Sequence, residues 1–148
     1  MDLMQAIERA ASGMLAQRIR LNVISTNLAN ANTTRTEDGK PYRRKTVIFE
    51  TTPGVPGVES FEKRLKSTLE ARLSGVRVRE IVPIGGEFKK IYDPSHPDAD
   101  ENGFVYLPNV NLVEEMVNML DANRAYEANA AVIKAAKNMA LKAIELGR

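Results

Sequence analysis

The side chains most able to do chemistry are concentrated where the chain reads Asp93-Pro94-Ser95-His96-Pro97-Asp98-Ala99-Asp100-Glu101-Asn102-Gly103. Alternating oxygen ligands that end on a glycine are what a calcium loop needs: hard carboxylate and amide oxygens around the ion, then a residue free to turn sharply. Counted from Asp98, the acids at 98 and 100, Asn102, Gly103 and Val105 follow that pattern. It breaks where a bidentate glutamate belongs, because Asn109 stands there, and Pro94 and Pro97 forbid the incoming helix. The sequence favours a turn in which Asp and Asn side chains accept hydrogen bonds from nearby backbone N–H groups.

No other constellation goes further. His96 is the only histidine and lies between two prolines, so it cannot form a helical two-histidine zinc pair. With no cysteine there is no thiolate ligand, no thiol nucleophile and no disulfide framework. Gly85-Gly86 lacks the spacing and the lysine of a phosphate loop, and no Gly-framed nucleophile elbow is present. Arg43-Arg44-Lys45 could touch an anion, but at a strand start such a run reads as solvated. Glu114 and Glu115 fall in the first turn of a helix, where they complement its positive dipole end. Nothing gathers an acid, a base and a pocket. No catalytic residue, metal or cofactor is assigned, and an enzyme is not expected.

These side chains sit on a chain of 148 residues, enough for one domain with a real core. The net charge of +2 is too small to argue for a nucleic-acid partner. It is unevenly spread: bases dominate through Lys90, acids from Asp93 to Glu127, and bases again after Lys134. That alternation suits contact between unlike surfaces of one protein or of its copies. Met1 to Gln5 shows no basic stretch before an apolar run, so no cleaved signal peptide is expected. No apolar run is long enough for membrane insertion.

The largest element to position is a helix from about Asn111 to the end of the chain. Leu112, Met116, Met119, Tyr126, Ala130, Ile133, Ala140 and Ile144 recur at three- and four-residue spacing, the mark of one helical face. A second stripe, Ala125, Ala128, Val132, Ala136, Met139, Ala143 and Leu146, lies on a flank. Two readings stand for it. Ala supports helicity at half-exposed sites, or the stripe meets a neighbouring molecule while the first meets a helix of the same chain.

That second helix is predicted over residues 1–34. Leu3, Ile7, Ala10, Met14, Gln17, Leu21, Ile24, Leu28 and Ala31 form a heptad seam with Gln17 as its polar member. Gly13 beside it either loosens the helix or admits a close neighbour. A heptad helix at each end predicts an antiparallel coiled coil. Between the helices, residues 35–110 read as a small β-rich domain. Its expected elements are strands near Tyr42–Glu50, Val76–Val82, Phe88–Tyr92 and Phe104–Leu107, and a short helix near 58–73. The expected fold is α+β, with a small antiparallel β region and a short helix between the paired terminal helices, the second of them spanning 111–148.

At both ends the residues are familiar. Ser12-Gly13-Met14-Leu15-Ala16-Gln17 and Arg20-Leu21-Asn22-Val23-Ile24-Ser25-Thr26-Asn27-Leu28-Ala29-Asn30-Ala31-Asn32-Thr33 resemble the N-terminal signature of the flagellar rod and hook axial proteins. Asn123-Arg124-Ala125-Tyr126-Glu127-Ala128-Asn129 resembles their C-terminal motif. The middle is most similar to that of proximal-rod subunits, through Pro41-Tyr42-Arg43-Arg44-Lys45, Gly75-Val76-Arg77-Val78, Tyr92-Asp93-Pro94, His96-Pro97-Asp98-Ala99-Asp100 and Pro108-Asn109-Val110-Asn111. Thr26 departs from the small residue expected there, and Thr51 to Ser74 matches least.

The resemblance implies a structural subunit of the bacterial flagellar basal-body rod. Such a protein would be exported uncleaved by the flagellar type III apparatus and would polymerise with copies of itself and other rod proteins across the periplasm. On this reading Asn27, Asn30, Tyr126 and Asn129 are assembly-motif residues, and with Leu21 and, from the second stripe, Ala136 and Ala143, they make up the expected assembly interface. For Tyr126, ordinary packing inside one chain stands beside that role. The alternative is a soluble coiled-coil adaptor that forms a discrete oligomer.

Overall fold

A computed structural model describes residues 3–51 and 75–147. In chain order the elements are α1 (Leu3–Ala29), β1 (Lys45–Thr51), β2 (Val76–Pro83), β3 (Lys89–Tyr92), β4 (Phe104–Leu107) and α2 (Leu112–Leu146). The fold is α+β: two helices, and two small antiparallel sheets that pair β1 with β2 and β3 with β4. The short helix expected near 58–73 lies outside the described residues.

The chain divides into two compact units. The first takes the described parts of Met1–Arg18, Phe49–Arg79 and Asn123–Arg148, and the second is Ile19–Ile48 with Glu80–Ala122. Each terminal helix therefore contributes to both.

Side-chain chemistry explains where the helices stop. Past Ala29 the Asn30 N–H and its Nδ2 both donate to the Thr26 carbonyl, at 3.1 and 2.9 Å, while Asn30 Oδ1 accepts from the Thr33 hydroxyl. Asn favours such local closure over continued helix. At the start of α2, Asn111 Oδ1 accepts the Val113 N–H at 3.1 Å, an N-cap that satisfies one of the orphan donors of the first turn. Along α1 every position of the heptad seam is buried or half-buried, with Ala10, Ile24 and Ala31 innermost.

In the second unit β3 and β4 run antiparallel, with Lys90 opposite Tyr106 and Tyr92 opposite Phe104. The Tyr92 and Phe104 rings meet edge to face at 5.3 Å, and the Lys90 ammonium sits 3.9 Å above Phe104. Such cross-strand pairs stabilise a ribbon too short to hold by backbone bonds alone. The turn between the strands passes through Gly103 at φ +77°, and a Cβ there would lie 3.0 Å from the Tyr92 ring. Ala31, Tyr42 and Val110 form a small buried apolar cluster in the same unit.

Candidate assembly interface

Most of the second unit's polar chemistry converges on Asn27, which is 1% exposed. Its Nδ2 donates to the Lys45 carbonyl and to Glu115 Oε2, each at 2.8 Å. Its Oδ1 accepts from the Tyr42 hydroxyl and from the Lys45 N–H, each at 2.9 Å. A primary amide has two donors and two acceptor sites, and here all four are used. The other Glu115 oxygen takes the Arg44 guanidinium, Nε at 2.7 Å and Nη2 at 2.6 Å. Arg44 is held in turn through its backbone: its N–H donates to Asn109 Oδ1, and its carbonyl accepts the Ile84 N–H at 2.7 Å. One asparagine thus ties the end of α1 to β1 and to the first turn of α2.

This network corrects two expectations. Arg44 is not a solvated strand residue, because its charge is spent on a carboxylate that is itself 1% exposed. Glu115 does lie in the first turn of α2, but its partners there are Asn27 and Arg44, beyond the helix dipole. A buried carboxylate is tolerated only when so compensated. Burial raises the Tyr42 phenol above its ordinary value near 10, and the Glu115 charge adds to the rise.

In the first unit the helices meet differently. A Cβ built on Gly13 would lie 2.9 Å from Asn129 Oδ1, so Gly13 admits a close neighbour. Asn129 Nδ2 is turned back to the Ala125 carbonyl at 2.8 Å. Ala10, Ala16 and Ala136 are buried in the same unit. Gln17 Oε1 is buried without a hydrogen-bond partner.

The inward face of α2 therefore reads Glu115 and Ala122 in the second unit, then Asn129 and Ala136 in the first, at a strict seven-residue step. Met119, Tyr126, Ile133 and Ala140, the other half of that seam, are half-buried. Leu112, Met116 and Ile144, expected on the inward stripe, are exposed instead. The apolar pattern missed this because the innermost residues are small or polar, and an apolar count gives them no weight.

Of the residues expected to make assembly contacts, Asn27 and Ala136 lie inside the protomer and Ala143 is on the surface. Leu21, Asn30, Tyr126 and Asn129 are half-buried. Asn27 and Asn30 share a helix end without sharing partners. What sequence reasoning missed is that Tyr42, Arg44, Asn109 and Glu115 join one network around Asn27. A hint was available in Glu115, which stands in heptad register with Asn129 and Ala136.

Many large apolar side chains of α2 are exposed. In the second unit Leu112, Val113, Met116, Val117 and Leu120 are all exposed, Val113 to 69% and Met116 to 60%. In the first unit Val132, Met139, Leu141, Ile144 and Leu146 are exposed, Met139 to 59%. A helix normally buries such residues and exposes its alanines. Contiguous exposed apolar side chains mark a contact surface.

The acidic loop is a turn. Asp93 Oδ1 accepts from the Ser95 hydroxyl and N–H, and Asp100 Oδ1 accepts from the N–H groups of Asn102 and Phe104. These bonds hold both carboxyls below the usual range, led by the Ser95 hydroxyl at Asp93 and the Phe104 N–H at Asp100. Asp98 accepts from the Thr34 hydroxyl at 2.7 Å. Among the described residues no group of three or more His, Asp or Glu is placed to hold a metal ion, and no helix is long and apolar enough to cross a membrane.

Comparison with known proteins identifies the family. The family described as "Flagella basal body rod protein" matches residues 7–35, and that of the flagellar basal body rod FlgEFG protein C-terminal region matches residues 101–146. The two matches fall on the two terminal helices and define the class: a structural protein of the flagellar axis, not an enzyme. The flagellar basal-body rod protein FlgC of Borreliella burgdorferi is 45% identical, over 99% of this chain and 98% of that protein. Those of Bacillus subtilis and Escherichia coli O157:H7 are 37% and 38% identical, with both chains covered in full. The chain belongs to the FlgC family of flagellar basal-body rod proteins. It is a structural subunit of the basal-body rod and assembles with other rod components.

Proposed function

We propose that the subunit polymerises through its two terminal helices, packed as an antiparallel coiled coil, into the hollow shaft that crosses the periplasm. Export by the flagellar type III apparatus without a cleaved signal completes this reading. Support for the pairing comes from side chains. In the second unit Arg20 reaches Asn118 and, one heptad later, Asn27 reaches Glu115, so α1 advances as α2 recedes. In the first unit Gly13 meets Asn129.

The observation that carries the polymer is the exposed surface of α2, where Val113, Met116, Val117, Leu120 and Met139 stand in water while Ala122 and Ala136 are buried. A discrete adaptor has no use for such a surface at both ends of one helix, whereas a subunit with neighbours on several sides does. Exchange of Met116 and Leu120 for Lys tests it. The variant is expected to fold and be exported but to be missing from purified basal bodies. Its incorporation at the normal level would contradict the reading.

A further inference from the structure

The exposed surface of α2 carries large apolar side chains toward both ends and changes sign along its length. Its first third, in the second unit, is rimmed by Glu114 and Asp121 and carries no base from Leu112 to Asn123. Its last third, in the first unit, carries Lys134, Lys137 and Lys142 against Glu145 alone. All of these charges are exposed, and among the described residues none of them takes part in an ion pair. The chain thus presents two contact surfaces of the same kind and opposite sign.

We propose that these surfaces cover each other between copies: the acidic face around Met116 receives the basic face around Met139 of a second copy of this chain. This rests on the polymer reading above and names the partner of its exposed helix face. Either face against itself would set like charges together, which is unfavourable. Each against the other pairs apolar side chains at the centre and opposite charges at the rim, the usual anatomy of a specific interface. Contact between two different patches is heterologous. It leaves one free patch of each sign after every addition, so it extends along a helical path and does not stop at a dimer. Charge opposition also fixes the polarity of addition.

The chain has no cysteine, so introduced thiols report without background. Basal bodies are purified from cells that make the double variant Met116→Cys, Met139→Cys as their sole copy. Detection of the subunit there comes first, and its absence for the wild-type chain would count against the polymer reading itself. With the subunit present, mild oxidation is expected to give a ladder of this chain extending beyond the dimer, and neither single variant should cross-link. Dimers from Met116→Cys alone, a cross-link to a different polypeptide, or no cross-link in assembled basal bodies would each overturn the proposal.

Charge reversal gives an independent readout. Asp121→Lys and Lys142→Glu are each expected to lower incorporation at least about tenfold, a factor worth about 1.4 kcal/mol. The combined variant should recover to within about threefold of wild type. A combination as defective as either single variant would overturn the pairing.

Discussion

The two faces of α2 invert the usual arrangement of a helix in water. Inward, the innermost positions are a glutamate, two alanines and a half-buried asparagine, and outward stand Leu, Val, Met and Ile. Small residues allow backbones to approach closely, as Gly13 and Asn129 do, and a satisfied amide and ion pair fix which helix turn meets which. Such contacts specify a geometry more than they stabilise it. The apolar surface that would ordinarily supply stability is held back on the outside. The comparison teaches that the protomer's interior sets register, while on the proposed reading its driving force for burial is left for neighbours.

Stability measurements on inward substitutions probe the first half of that contrast. Removal of Arg44 by Ala should have the largest effect, because it leaves the Glu115 carboxylate buried without its counter-charge. A loss of about 3–5 kcal/mol is expected in urea unfolding of the purified protein. Asn27→Ala strands the Lys45 carbonyl and N–H and should cost about 2 kcal/mol. Opposite in sign is Gln17→Leu, which removes an acceptor buried without a donor and should raise stability by about 1 kcal/mol.

The phenol of Tyr42 adds a pH test. Its proton is held more tightly in the folded state than in the unfolded chain, so the stability it contributes is fully present below pH about 10. That contribution is lost as pH rises through the raised folded value. The urea midpoint should therefore fall above pH 10, and Tyr42→Phe should flatten the decline. Outward substitutions come last in magnitude. Met116→Lys or Met139→Lys should change protomer stability by no more than about 0.5 kcal/mol.

Much of this was legible in the sequence, and the part that was not has a physical reason. Heptad spacing placed both terminal helices, turn residues and β-branched runs placed four strands, and of the two readings of Gly13 the close neighbour is the one found. The orientation of α2 was not legible. Periodicity ranks faces by apolarity, and Leu112, Met116 and Ile144 draw the predicted core toward the face that is exposed. The pairing of Glu115 with Arg44 was hidden because it joins residues 71 apart that each look solvated alone. Tyr42 and Asn109 were hidden because their roles depend on what faces them across the fold.

The central claim is that the outward face of α2 serves assembly and contributes little to the protomer. It is tested most directly by one paired measurement on the Met116→Lys, Leu120→Lys variant: urea unfolding of the purified protein beside its abundance in isolated basal bodies. An unfolding midpoint close to wild type with the subunit missing from basal bodies is predicted. A marked fall in the midpoint, or normal abundance in basal bodies, would contradict the account.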